Sequence, residues 1–510
     1  MTEHWWERKA ILAALVLVTA VPLLWPAIPP LLDLPGHMGR YAVSLGGGEA
    51  PIARYYDYQW ALLGNLGVDL IVTLLGRWIE VETATKLTVL AIPMLMSAGF
   101  LWVTYEVHGK LQATTPLALV FCYAYPFHYG FVNYALGMAF VALAFPLWIR
   151  WSNGPAWRRS AVFAAIAAVI WVTHAIAWLA LCVLCFAFEL FRRLKKNEPI
   201  PRALLQTILS AVPLGTGAVL TLLSASGAPG TIGGVFDVGG IAKALISLNR
   251  DRWIAIDLLT SAVLLAILAL ALCRFRGLAV IPDLGWPAFG LLALFIAIPD
   301  SVNDSAYLKT RLLPWAVAYA LLAIKVPVSR DIARWAALSF GVLLLRLSAT
   351  AASLLAYDAS YASTLRALDL VPKGSRIATF TVNACRPTLA NWTNSRRQHL
   401  GGIAVIRRNA FVNDQFEAGS LQLLRVRYAS AGTFRHSPSE VVSTERCVGD
   451  YPPLFADRLD ALPRDAFDFV WLLDVPRSDW PSRPWLRPVY DDGATILYAV
   501  KRSTRESANR

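Results

Sequence analysis

Eleven apolar stretches, at residues 11–30, 86–104, 115–126, 132–149, 160–173, 175–191, 203–223, 254–273, 284–299, 312–324 and 335–357, dominate this chain. A soluble fold has no place to bury so many, whereas a bilayer accepts helices that satisfy their own backbone polar groups. A helix needs roughly 20 apolar residues to cross the hydrocarbon core, so the shorter stretches are expected to start or end among lipid headgroups. The expectation is an α-helical polytopic membrane protein with about 11 transmembrane helices over residues 1–357. Hydrophobic residues make up 56% of the 510, and there are 19 Trp, which excludes an ordinary soluble domain. The first stretch lacks a small-residue cleavage site after it and reads as an anchor helix.

Charge fixes an orientation. If the amino terminus lies inside, the inner connections hold Arg8, Lys9, Lys110, Arg150, Arg158, Arg159, Arg192, Arg193, Lys195, Lys196, Arg202, Arg274, Arg276, Lys325, Arg330 and Arg334. The longer outer connections hold only Arg40, Arg54, Arg77, Lys86, Lys243, Arg250, Arg252, Lys309 and Arg311. Basic residues near span ends mark the cytoplasmic side, so the carboxyl terminus is expected outside. Counting the apolar run 61–79 as a span would invert everything after it and expose Arg192 to Lys196 outside. With Gly64, Gly67 and Asp69 inside it, that run reads as an interfacial or re-entrant helix of the first outer loop, residues 31–85. The net charge of +13 then serves topology and contact with anionic lipids, not nucleic acid.

After residue 357 the composition changes to charges, turn residues and short β-prone runs, giving a mixed α/β extracytoplasmic domain at 358–502 and a polar tail at 503–510. Runs at 376–382, 467–474 and 495–501 read as strands, and Gly493 after Asp491 and Asp492 marks a hairpin turn. Cys385 and Cys447 are the two cysteines beyond the last span, in an oxidising compartment, and are expected to form a disulfide.

Polar residues gather at the outer ends of the spans. Asp33, His37 and Arg40 follow the first span within eight residues, and together supply a proton acceptor, an imidazole and a guanidinium. The same three could instead act as helix cap and interface anchors. His128 and Asn133 flank one outer turn, His174 another; Arg250 precedes the eighth span and Asp257 lies one turn inside it. Asp300, Asn303, Asp304, Lys309 and Arg311 fill the loop before the tenth, where Asp300 and Asp304 could hold a divalent cation. Arg346 stands near the bilayer centre, where a charge needs a partner, Asp257 being the first choice. No phosphate-cradling GxxxxGK[ST] occurs, so a cytosolic nucleotide is not the expected substrate.

A short amino terminus, a first span opening into an acidic outer loop with an interfacial helix, some ten further spans and an outer carboxyl-terminal domain resemble the GT-C superfamily of polyprenyl-phosphate-sugar-dependent glycosyltransferases. Members place a catalytic carboxylate in the first outer loop, which maps onto Asp33. Where many carry paired acidic residues, this chain has Asp33-Leu34-Pro35-Gly36-His37, and it looks closer to bacterial members than to protein O-mannosyl or lipid A transferases. The resemblance implies a bacterial inner-membrane enzyme moving a sugar from a lipid-linked donor to a glycan, lipid or protein acceptor on the periplasmic side, with no required cofactor. Asp33 would be the base, His37 its positioner, and Arg40, Lys309 and Arg311 the phosphate contacts. The alternatives are a transporter or lipid flippase and a non-catalytic envelope assembly protein.

Overall fold

The computed structural model describes residues 4–46, 50–224, 232–234, 236–302, 305–327, 331–386, 392–417, 422–449 and 451–501. Helix α1 (Lys9–Val18) continues through a 3-10 turn to Leu23, and an extended segment leads to α2 (Leu34–Gly46). Then come α3 (Gly67–Leu75), α4 (Val81–His108), α5 (Thr115–Leu119), α6 (Tyr125–Tyr129), α7 (Val132–Arg150), α8 (Ala156–Thr173) and α9 (Ala175–Leu194). The helical part ends with α10 (Ile200–Ala211), α11 (Thr216–Leu223), α12 (Val238–Ile246), α13 (Ile254–Leu272), α14 (Pro282–Ala297), α15 (Leu308–Leu322) and α16 (Ile332–Leu365).

Seven of these segments are long and apolar enough to cross a membrane: α4, α7, α8, α9, the joined pair α10–α11, α13, and α16 with its 3-10 extension. The protein is a multi-pass membrane protein. Two further apolar segments, Lys9–Leu23 and Pro282–Ala297, are shorter. The stretch expected as one helix at 115–126 is instead α5, a 3-10 turn at Val120–Tyr123, an extended Ala124 and α6. Pro126 lacks the N–H that would carry the preceding helix onward. Every residue of α5 and its 3-10 turn is buried, so the broken backbone is sheltered by protein. Helix α15 is likewise buried along almost its whole length, which is why it can carry Lys309 and Arg311.

The run 61–79 contains only α3, nine residues long, or about 14 Å at 1.5 Å per residue, far less than a bilayer core. Its Val68, Asp69 and Val72 face inward, which fits a helix lying against the bundle.

The carboxyl-terminal region is built on a six-stranded sheet. Strand Arg376–Val382 is central and parallel to Phe469–Leu473, Phe411–Val412 and Val441–Val442, while the hairpin Leu486–Asp491/Thr495–Val500 closes one edge. Gly493 sits at φ +86° in that hairpin, a conformation natural only to glycine. Helix α17 (Gly402–Arg408) connects Arg376–Val382 to Phe411–Val412. Cys385 and Cys447 are joined by a disulfide with Cα atoms 5.2 Å apart. The tail 503–510 lies outside the described residues.

This domain and the first loop are held together directly. Strand Tyr56–Tyr58 pairs antiparallel with Leu424–Val426. Helix α2 lies on α17 with no room for a side chain at Gly39, where a β-carbon would sit 3.0 Å from the Gly402 carbonyl oxygen. Loops at the carboxyl ends of parallel strands are where open α/β sheets bind ligands. Here the loops after Arg376–Val382 and Phe411–Val412 face α2.

Candidate active site

Asp33 is placed by its backbone. Its N–H donates to the Tyr129 carbonyl at 2.9 Å, and its carbonyl accepts the His37 N–H at 3.1 Å, which makes Asp33 the residue that opens α2. Gly130, at φ +96°, lies so close that a β-carbon there would stand 2.7 Å from the Asp33 nitrogen. A left-handed glycine ending α6 therefore lets the first loop approach the end of the broken helix. The Asp33 carboxylate does not close on the helix start; it faces Nε2 of His399 at 3.7 Å.

A cavity of about 350 Å³ opens in front of it. Asp33, His37, Asn133, His174 and Arg311 line it, together with Phe416 and Gln422 of the carboxyl-terminal domain. Residues from four separate span ends and from the carboxyl-terminal domain thus meet in one space. The Arg311 guanidinium lies 3.8 Å over the Phe131 ring, and one of its nitrogens is 3.3 Å from His174 Nε2. His174 is fixed by its other nitrogen, which accepts the Ile176 N–H at 3.2 Å at the start of α9. The Arg311 Nε has no hydrogen-bond partner among the described residues, and the carboxyls that act on this cation, Asp33 and Asp300, make no ion pair with it. An apolar-walled space with a few converging polar groups is the general form of a small-molecule site.

The outer domain brings groups that the sequence reading did not single out. His399 Nδ1 bonds the Asp414 carbonyl at 2.9 Å and lies 3.5 Å from Glu440. Phe416 packs between the two histidines, 4.3 Å from His399 and 5.2 Å from His37. Asn413 pins this loop to the central strand by accepting the Thr379 N–H at 2.7 Å. Burial pushes the Asp33 carboxyl well above its usual range, with Arg311 opposing. Burial also raises Asp414 to about 7 and Glu440 to about 8. It lowers His399 to about 4 and, helped by the Arg40 and His399 charges, holds His37 well below its usual value. Of these groups Asp33 and His37 line the cavity itself, and perturbed titratable groups in a cavity are a mark of functional sites.

Other expected site residues have different tasks. Arg40 does not reach the cavity: its Nε and Nη2 fork onto Asp69 at 2.8 and 2.9 Å, and Nη1 bonds Gln422. A guanidinium neutralised in this way is a strut between α2 and α3, not a free phosphate contact. Lys309 is also engaged elsewhere: its ammonium donates to the carbonyls of Phe295, Ile296 and Ile298 at 3.3, 3.1 and 2.7 Å, satisfying the end of α14. Asn133 lines the cavity, but its amide accepts from Val68 N–H and donates to Asn65 and Asp69, so it anchors α3.

His128, Arg250, Asp257 and Arg346 form a separate cluster. Arg346 donates to Asp257 at 2.6 Å and to the Asn249 carbonyl at 2.6 Å. His128 is buried 3.6 Å from Asp251, which also takes Arg396 at 2.9 Å. Arg250 lies between the Tyr125 and Trp392 rings, at 4.7 and 4.6 Å. Asp304, the partner expected for Asp300 in a cation site, lies outside the described residues, as does Asn303. Among the described residues no group of three or more His, Cys, Asp or Glu is placed to hold a metal ion.

No family model matches this chain, and no curated protein matches it in sequence.

Proposed function

We propose that this chain is a membrane glycosyltransferase of the GT-C type, moving a sugar from a polyprenyl-phosphate donor to an acceptor on the side of the membrane that holds the first loop and the outer domain. The observation that carries it is one cavity joining a carboxyl, two histidines and an unpaired guanidinium at the outer ends of the bundle. Phosphate leaving from a sugar needs a cation, and guanidinium binds phosphate through paired hydrogen bonds. The acceptor hydroxyl needs a proton acceptor within reach of the anomeric carbon. Arg311 and Asp33, which line the same cavity, supply these. The C1–phosphate bond breaks with its electron pair leaving on phosphate as the acceptor oxygen bonds C1 and its proton passes to Asp33.

We propose eleven crossings, with the amino terminus cytoplasmic and the outer domain periplasmic, on an argument from parity. The first loop and the outer domain pair strands, so they share one side of the membrane. The chain between them must then cross an even number of times. Seven segments alone would separate the two. Adding the broken 115–129 segment, α14 and α15 gives ten crossings, and α1 completes eleven. The basic inner connections assign the common side as outer.

The test is transfer of labelled sugar from polyprenyl phosphate in reconstituted membranes. Asp33→Asn keeps the shape of the side chain and is expected to lower turnover by roughly 10²- to 10⁴-fold, the usual cost of losing a positioned proton acceptor. Wild-type turnover in that variant at equal folded protein would refute the assignment. Absence of transfer by the native protein from any polyprenyl-phosphate donor would move the balance to transport.

A further inference from the structure

His399 occupies a position that a bulky residue does not take freely. Its backbone lies at φ +61°, in the left-handed region, at the turn that opens α17. The geometry also fixes its tautomer. A carbonyl oxygen can only accept, so Nδ1, 2.9 Å from the Asp414 carbonyl, carries the ring N–H. A neutral imidazole has one N–H, and burial holds His399 neutral. Nε2 therefore presents a bare lone pair to Asp33 Oδ1, 3.7 Å away. Burial in turn favours the protonated Asp33 carboxyl. The charged or titratable groups around the pair are His37 on α2, Tyr125 and Tyr129 on α6, Asp414 and Glu440 in the outer domain, and Arg311, which also lines the cavity. At rest the two residues are a neutral acid facing a neutral base.

Resting on the transferase reading above, we infer that Asp33 and His399 form a proton relay, so that the outer domain supplies half of the active site. Asp33 takes the acceptor's proton on one carboxyl oxygen and releases its own from Oδ1 to Nε2 of His399. The bookkeeping of atoms closes: the acceptor oxygen bonds C1, and the C1–phosphate bond breaks with its electron pair on phosphate. One proton moves from acceptor to Asp33 and one from Asp33 to His399. The imidazolium formed balances the negative charge gained by the phosphate, and Asp33 stays neutral throughout. A protonated carboxyl thus serves as a relay where it could not serve as a simple base. At 3.7 Å the pair stands a little beyond hydrogen-bond length, and a small side-chain shift in the resting protein closes it. His399 acts through Asp33 and is a positioning residue with respect to substrate.

The experiment uses His399→Asn and His399→Gly, since both replacements accept a left-handed backbone. With labelled polyprenyl-phosphate sugar, kcat is expected to fall about 10²- to 10⁴-fold in each, with the donor KM nearly unchanged. Free imidazole should restore His399→Gly, which leaves space for it, and not His399→Asn. Wild-type kcat in His399→Asn would overturn the relay. So would recovery of that variant as pH rises, because ionised Asp33 would then be working alone. Loss of folded protein in both variants with no imidazole response would assign His399 a structural role instead. An infrared measurement on resting protein separates this proposal from the transferase reading. The protonated carboxyl stretch at neutral pH that disappears in Asp33→Asn should shift in His399→Asn. An absent or unshifted band overturns the shared proton, whereas missing sugar transfer in the native protein alongside a shifting band overturns only the transferase reading.

Discussion

Two places in this molecule bury an aspartate and an arginine together with aromatic rings, and they differ in how completely the charges are answered. Around Arg346 the opposite charges meet: Asp257 receives Arg346 at 2.6 Å on one oxygen, and Trp392 Nε1 and Asp251 N–H, both at 2.8 Å, on the other, although Arg346 Nε and both His128 ring nitrogens have no hydrogen-bond partner among the described residues. Around Asp33 the groups stand off across an open space, with Asp33 3.7 Å from a neutral imidazole and Arg311 lacking a carboxylate. A buried charge is costly wherever it occurs, so its presence alone does not separate scaffold from site. Direct pairing of the carboxylate with the guanidinium separates them. The Arg346 cluster ties α13 and α16 to the outer-domain segment at Trp392 and reads as a joint; the Asp33 cavity leaves room and polarity for something else.

The hardest test of that contrast is to break the closed pairs. Arg346→Met leaves Asp257 buried without its cation, and Arg40→Met does the same to Asp69, so each should cost about 3–5 kcal/mol. Thermal unfolding in detergent checks this. Arg346→Met combined with Asp257→Leu should recover part of the loss, but not all, because Trp392 and the Asp251 N–H would lose their acceptor. Sugar transfer per folded molecule should survive Arg346→Met. A variant of native stability with no transfer would reverse the roles of the two places.

Next in size is Arg311→Gln. One charge-assisted contact to phosphate is worth roughly 1.5–3 kcal/mol, or about a 10- to 150-fold weaker donor. The expected result is a raised donor KM with acceptor KM and folding little changed. A loss confined to the acceptor would move Arg311 out of the phosphate role.

Much of this cavity was legible in the sequence, for a physical reason. Lys and Arg bias assigns span ends to a side, and it places Asp33, His37, Asn133, His174 and Arg311 on the same one, so one rule collected residues that line one cavity. Arg40 and Lys309 obeyed the same rule, but their neutralisation depends on where Asp69 and the end of α14 happen to fall, which no spacing encodes. The outer-domain half was not read, since His399, Asp414, Phe416 and Glu440 converge only through strand order. A signal was present in the polar runs Arg396-Arg397-Gln398-His399 and Asn413-Asp414-Gln415, which are buried in the fold. The break at 115–129 was hidden because apolar composition reports burial, not helical continuity; Pro116, Pro126 and Gly130 carried that information.

The open site should also leave a trace in pH dependence. Glu440 and Asp414 are raised to about 8 and about 7. Between their ordinary range and these values the folded state holds protons that the unfolded chain has released, so stability falls as pH rises. His399, lowered to about 4, acts in the opposite sense between pH 4 and its ordinary 6.5, because there the unfolded chain binds the extra proton. Above that range the carboxyls act alone. The outer domain should therefore lose stability from about pH 6.5 to 8, at up to about 1.4 kcal/mol per pH unit for each group. Glu440→Gln should flatten the slope in unfolding scans, and an unchanged slope would mean that Glu440 is ionised in the fold.

The smallest expected effect isolates burial from geometry. Arg407 of α17 forks onto Glu82 of α4 with Nε and Nη2 at 2.8 and 2.9 Å, the same distances at which Arg40 forks onto Asp69. The side chains of the first pair are 39% and 23% exposed, those of the second 3% and 1%. If fork geometry set the energy, the two pairs would matter equally. Water screens the exposed fork and solvates either partner when the other is removed, so Arg407→Ala should cost only about 0.2–1 kcal/mol. A double-mutant cycle with Glu82→Ala gives the coupling directly, and raising the salt concentration should shrink it. A coupling as large as the loss in Arg40→Met would show that the outer domain depends on this exposed contact, and that partner closure, without burial, is enough to make a joint.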